Sequence, residues 1–174
     1  MTYEMVLDGR CQGSPETVYA VLADLSTHLD WGGRRQRRSF RLASLTPTGP
    51  PTGPVTVGTE FTSVGTMPMT RVRANDRSVV VRAEPGAVLE FHTTSTAAWR
   101  GGLRTEARWE HEYRIEPDGS GSRVTYRLRG AGLSGAPLRM RVPVMRTLTH
   151  KVMIPLLCRR GFVNLLRSAD PSRR

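Results

Sequence analysis

Residues 104–116, RTEARWEHEYRIE, alternate without interruption. Thr105, Ala107, Trp109, His111, Tyr113 and Ile115 share one parity. Arg104, Glu106, Arg108, Glu110, Glu112, Arg114 and Glu116 share the other. A period of two sends successive side chains to opposite faces of a β-strand. One face is therefore all charge and must meet water. The other carries three rings and must meet protein. A chain built around such a strand needs a sheet with one wet face and one covered face, and a separate element to do the covering.

Neighbouring segments extend this pattern. TYEMVLDG sets Tyr3, Met5 and Leu7 against Glu4 and Asp8, and RVTYRLRG sets Val124, Tyr126 and Leu128 against Arg123, Arg127 and Arg129. We expect those arginines to face water. RSFRLASLT, TEFTSV, TRVRA, SVVVRA and VLEFHTT supply further strand segments. Asn75-Asp76 predicts a turn or bulge between TRVRA and SVVVRA, while PTGPPTGPVTVGT, EPGA and PDGSGS carry turn chemistry. The total is about seven strands joined mostly by short turns, which favours antiparallel pairing.

Helical spacing occurs in two places. In SPETVYAVLADL, Ser14 is an N-cap, Pro15 sits at the first helical position and Glu16 suits the positive helix end. Val18, Val21, Leu22 and Leu25 form its apolar stripe, and STHLDWGG reads as a second short helix ended by Gly32-Gly33. From Pro137 onward Leu138, Val142, Met145, Leu148, Val152, Leu156, Val163 and Leu166 recur at helical spacing, with Pro143 and Pro155 dividing or starting the element. This long helix is the only element large enough to cover the sheet, and we expect Met145, Leu148 and Val152 to face it. Residues 1–168 read as one domain and 169–174 as a frayed tail.

Several chemistries are disfavoured. The two cysteines, Cys11 and Cys158, form no CxxC pair and read as reduced, partly buried thiols. No metal motif, Walker A sequence, dinucleotide glycine fingerprint or nucleophile elbow occurs, so we expect no metal, no cofactor and no covalent catalysis. There is no signal-peptide pattern and no transmembrane run, which suggests a cytoplasmic protein. The net charge of +11 invites a nucleic-acid partner. However, Lys151 is the only lysine, a skew expected from a GC-rich genome, and acids are interleaved at Glu106, Glu110, Glu112 and Glu116. Nucleic acid is therefore the weaker reading. Arg34, Arg35, Arg37 and Arg38 form a denser cluster, either simply solvated or a seat for a phosphate such as that on an acyl-carrier protein's arm.

SPETVYAVLADLSTHLDW, VGTEF, AEPGAVLEF and WEHEYRIEPDGSGSRVTYRLRG together resemble the START/Bet v 1-like (SRPBCC, helix-grip) superfamily, and within it the bacterial polyketide cyclase/dehydrase-like proteins. The resemblance covers nearly the whole chain. It implies an α+β helix-grip fold: a seven-stranded curved antiparallel sheet around a long C-terminal helix, two short helices after the first strand, and a hydrophobic cavity between sheet and helix. Members include lipid carriers, plant hormone binders, polyketide aromatases and cyclases, and ribosome-associated factors, so the fold does not choose the function.

His111 is the sharpest candidate for chemistry. An imidazole titrates near neutrality and can act as general acid or base, while Tyr113 on the same face can donate to an enolate oxygen. The plainer alternative is a core histidine hydrogen-bonded to a neighbour. Trp109, Trp31, Phe91, Trp99, Tyr126 and Met145 are candidate ligand contacts, Trp109 as a flat wall and Trp99 on a glycine-flanked loop. His92 should face solvent, as should His150 on the C-terminal helix. Three readings follow: a cavity protein for an apolar or polycyclic small molecule with polyketide cyclase or dehydratase activity, a non-catalytic carrier or sensor, and a ribosome- or RNA-associated factor. Monomer and homodimer both remain open.

Overall fold

The computed structural model describes residues 2–34, 42–48, 53–66, 72–135 and 147–171. Strand β1 (Thr2–Cys11) is followed by helix α1 (Pro15–Ala23), a 3-10 turn (Leu25–Thr27) and a π-helical turn (Leu29–Arg34). Then come β2 (Leu42–Pro47), β3 (Glu60–Thr66), β4 (Arg73–Glu84), β5 (Val88–Ala98), β6 (Arg104–Asp118) and β7 (Gly121–Ser134). A π-helical stretch, Thr149–Met153, leads into helix α2 (Ile154–Ser168). The strands form one antiparallel sheet in the order β1-β7-β6-β5-β4-β3-β2. This is the helix-grip architecture.

Local chemistry explains α1. The Ser14 hydroxyl accepts from the Thr17 amide at 3.3 Å, Pro15 occupies the first turn, and Val18, Val21, Leu22 and Ala23 are buried. Asp24 then caps the following turn by accepting from the Ser26 amide at 2.9 Å.

On β7, Val124, Tyr126 and Leu128 are buried, and the intervening arginines lie on the outer face. Those arginines meet acids across the strands: Arg127 reaches Glu4 and Glu112 at 3.5 Å, Arg129 reaches Glu4 at 3.3 Å, and Arg123 reaches Asp118 at 3.7 Å. Much of the basic charge on this face is thus offset by carboxylates beside it. Exposed pairs of this kind contribute only ~0–1 kcal/mol each.

Two expectations fail in instructive ways. Strand β4 runs straight through Asn75-Asp76, which pair with Thr96 and Ser95 of β5 and with Val64 and Ser63 of β3. The register shift falls instead between Val80 and Arg82. Hydrogen-bonded strands on both sides override the local turn preference of the dipeptide.

The C-terminal helix is also turned. Leu148, Val152 and Leu156 are exposed, at 37%, 51% and 49%, so they do not face the sheet. Met145 lies outside the described residues. The inward positions are Ile154, Cys158, Phe162, Leu165 and Leu166. Two features explain the change of face. The π-helical stretch breaks the 3.6-residue phase, and Pro155, lacking an amide hydrogen, sits in the first turn of a fresh α-helix. Packing also continues beyond residue 168, because Ala169 is fully buried and its carbonyl lies over Gly13.

Close approach of rings to backbone fixes two glycines. A β-carbon on Gly9 would stand 2.5 Å from Leu166 Cδ1 and 2.9 Å from Phe162 Cε1, so this glycine lets α2 settle on β1. A β-carbon on Gly130 would stand 2.6 Å from Trp109 Cζ3, because the indole lies across β7 there. Gly130→Val should therefore displace Trp109 and destabilise the fold by about 1–3 kcal/mol despite valine's preference for strands. A lower urea midpoint with a red-shifted tryptophan emission would show this, and an unchanged emission would place the indole elsewhere.

Candidate functional site

Strand register assembles the inner face in rows. Val80, Phe91, His111, Leu128 and Met5 lie side by side across five strands. The next row holds Leu89, Tyr113, Tyr126 and Leu7, and the row on the other side holds Ser78, Thr93, Trp109, Gly130 and Tyr3. The imidazole of His111 stacks on Phe91 at 4.6 Å and 13°. Tyr113 stacks on Tyr126 at 4.5 Å, and Tyr126 lies 6.3 Å from Phe162 of α2. Five sequence-predicted residues, Phe91, Trp109, His111, Tyr113 and Tyr126, are thus brought together.

Their polar atoms form a network. His111 Nδ1 and the Tyr126 hydroxyl are hydrogen-bonded at 2.9 Å, and the Tyr113 hydroxyl and the Cys158 thiol act on the same neighbourhood electrostatically. Burial controls protonation throughout. It pushes His111 down to about 3, with repulsion from His92 adding to the effect. It pushes Tyr113 and Tyr126 up, and Cys158 up to about 12 against the opposing hydrogen bond from Tyr126. Tyr3 is likewise raised to about 12 by burial, then by Cys158. At neutral pH the network is a set of neutral donors and acceptors. Cys158 is held as a thiol, which is a poor nucleophile.

The inner face is not uniformly sealed. Leu89, Phe91, Tyr113, Tyr126 and Leu128 are buried. Tyr3, Asp76, Ser95, Ala107, Trp109, His111, Ile154 and Cys158 point to the same side but keep partial access. His111 is the clearest case: desolvation dominates its lowered pKa, yet the residue as a whole is only half-buried. The aromatic cluster on this face is thus enclosed without being fully sealed. A separate cleft of about 530 Å³ opens between the β6–β7 turn, the end of β1 and the end of α2, lined by Arg10, Cys11, Asp118, Ser122, Leu166 and Asp170. None of the predicted site residues lines it.

Other predicted residues lie further out. Trp31 is buried, donates from Nε1 to Thr27 Oγ1 at 3.3 Å, and sits 4.7 Å from His28. His28 meets Phe61 at 6.3 Å and Phe61 meets Phe91 at 5.6 Å, so Trp31 joins His111 through a chain of rings. His28 itself hydrogen-bonds the Leu22 carbonyl at 2.7 Å, and burial lowers its pKa. Trp99 is buried and donates to Thr105 Oγ1 at 3.2 Å, against the base of its own loop. His92 faces outward beside Glu90 at 3.3 Å, as expected. His150 does not: its ring lies 5.2 Å from that of Tyr3. Met145 and Arg35, Arg37 and Arg38 of the basic cluster fall outside the described residues.

Sequence reasoning gave no role to Tyr3, Asp76 or Cys158. Tyr3 was legible as inward but carried no assigned chemistry. Cys158 lies four residues from both Ile154 and Phe162, so a correctly phased helix would have found it. Asp76 was hidden by its apparent turn.

No protein-family model and no curated protein sequence matches the chain. Solved structures do match in shape. An uncharacterized protein from Rhizobium leguminosarum gives a TM-score of 0.69 at 9% identity, covering 97% of this chain and 95% of that one. The protein CV1439 from Chromobacterium violaceum gives 0.63 at 12% identity, covering 97% of each. Ara h 8.0201 gives 0.58 at 10% identity, covering 97% of this chain and 98% of that one. At such identities the likeness is one of fold. Among the described residues no helix is long and apolar enough to cross a membrane.

Proposed function

We propose that this protein binds an apolar, aromatic small molecule on the inner face of its sheet, as a carrier or receptor. The observation that carries the reading is the contiguous set of inward yet partly accessible residues around Trp109 and His111. Trp109 offers flat apolar surface, and the neutral His111–Tyr126 pair offers a hydrogen bond to orient a ligand hydroxyl or carbonyl.

A second reading, polyketide cyclase or dehydratase, rests on the same imidazole–phenol pair, with His111 as base and Tyr113 as donor. Binding is preferred because a base with a pKa near 3 is poorly matched to removing a proton at neutral pH. An RNA-binding reading draws on the net charge alone, and the outer-face arginines already have acidic neighbours.

The test is titration with 2-naphthol, followed by tryptophan fluorescence. Saturable one-to-one binding is expected, and Tyr126→Phe should weaken it by roughly 5–10-fold through loss of one hydrogen bond, with a lower melting temperature because His111 Nδ1 loses its buried partner. His111→Phe should change affinity only modestly in a carrier, whereas in a cyclase it should cut turnover by about 100-fold or more. Absence of saturable binding to the wild-type protein would remove the proposal.

A further inference from the structure

Asp76 stands on the inner face of β4. Ala74, Ser78 and Val80, of the same parity, are buried, while Arg73, Asn75 and Arg77 face outward. Ser63 and Ser95 are its partners in register on β3 and β5, and their hydroxyls oppose the rise in its pKa. Its Oδ1 atom is buried and has no hydrogen-bond partner among the described residues. A buried carboxylate oxygen without a partner is costly, and burial accordingly raises the acid's pKa.

The surroundings lead from this carboxyl group toward the aromatic chamber. The row beside Asp76 continues through Ser95 to Ala107, and Trp109 is the next inward residue along β6. Ser95 and Ala107 are small and partly accessible, as is Asp76 itself. Strand spacing places Asp76 about 10–12 Å from Trp109, the length of a fused two-ring aromatic with a short side chain.

We propose that the ligand is a cationic amphiphile: a flat aromatic body lying against Trp109 and His111, and a protonated amine received by Asp76 Oδ1. This rests on the reading of the inner face as a ligand chamber and adds the chemical class of the ligand. An ammonium group supplies the donor that Oδ1 lacks, and the serine hydroxyls hold the carboxylate in place for it. An aromatic wall also favours a cation near its face.

The probes are 2-(2-naphthyl)ethylamine and its uncharged counterpart 2-ethylnaphthalene, titrated by tryptophan fluorescence at neutral pH. The wild-type protein should bind the amine at least about 10-fold more tightly, as expected for a hydrogen bond to a charged group. Asp76→Asn, which keeps the shape and the serine contacts, should abolish that preference and leave ethylnaphthalene affinity unchanged. Equal binding of the two probes by the wild-type protein would overturn the cationic head group while leaving the chamber intact. Failure of both to bind would overturn the chamber and this proposal together. Retained preference in Asp76→Asn would show that another group receives the amine. An Asp76→Asn protein that melts several degrees lower, with no preference in the wild type, would show that the carboxylate serves a cation of this chain instead. The wild-type comparison needs no variant, so a folding failure of Asp76→Asn leaves the test decisive.

Discussion

Leu165→Asp should abolish cooperative folding under conditions where the wild-type protein is stable. Leu165 is fully buried on α2, between the ring of Phe162 and fully buried Ala169. Removing its side chain from the core forfeits ~2 kcal/mol of apolar burial, and an unpaired carboxylate there costs several kcal/mol more. The sum, about 4–6 kcal/mol, is comparable to the whole stability of a small domain. Val152→Asp is the matched control. Val152 is 51% exposed, so its replacement should move the urea midpoint little, within ~0.5 kcal/mol. Urea unfolding followed by far-UV circular dichroism reads both. Equal losses at positions 152 and 165 would mean that the π-helical stretch before α2 packs against the sheet and Val152 is not exposed.

The contrast between those positions also shows what the sequence could and could not reveal. A strand period of two is rigid, so parity alone placed Trp109, His111 and Tyr113 inside and Glu110, Glu112 and Arg114 outside. The same logic placed Val124, Tyr126 and Leu128 correctly. A helix is less forgiving. Any departure from 3.6 residues per turn accumulates, and the π-helical stretch before Ile154 was enough to turn Leu148 and Val152 to solvent. Partnerships were the least legible feature. Cys158 and Tyr126 are 32 positions apart in a chain where nothing local links them, and they meet only because α2 crosses β7. Asp76 finds Ser63 and Ser95 only because three strands pair in one register. As a result, the rings of the candidate site were readable from alternation, while the polar atoms that give the site its chemistry were not.

Acidification should destabilise the protein through His111, by about 3 kcal/mol at pH 4 from this residue alone. The folded-state pKa lies near 3 and the unfolded value near 6.5, so the unfolded chain binds the extra proton throughout the interval. The imidazole's full contribution is therefore present above about pH 6.5 and is lost progressively as pH falls toward 3, at roughly 1.4 kcal/mol per pH unit. His28, also lowered by burial, acts in the same direction. Asp76 acts in the opposite one: its pKa is raised, so protonation stabilises the folded state relative to the unfolded chain and softens the acid limb. Urea midpoints of the wild-type protein and His111→Phe, compared from pH 7 to pH 4, isolate the His111 contribution. The variant should lose some stability at pH 7, where Tyr126 is deprived of one hydrogen bond, but its curve should be flatter by about 3 kcal/mol at the acid end. Parallel curves would show that His111 titrates normally and is open to bulk water. That result would also undo the neutral network, because an imidazole charging near pH 6.5 would place a cation beside Tyr126 and restore His111 as a competent general base.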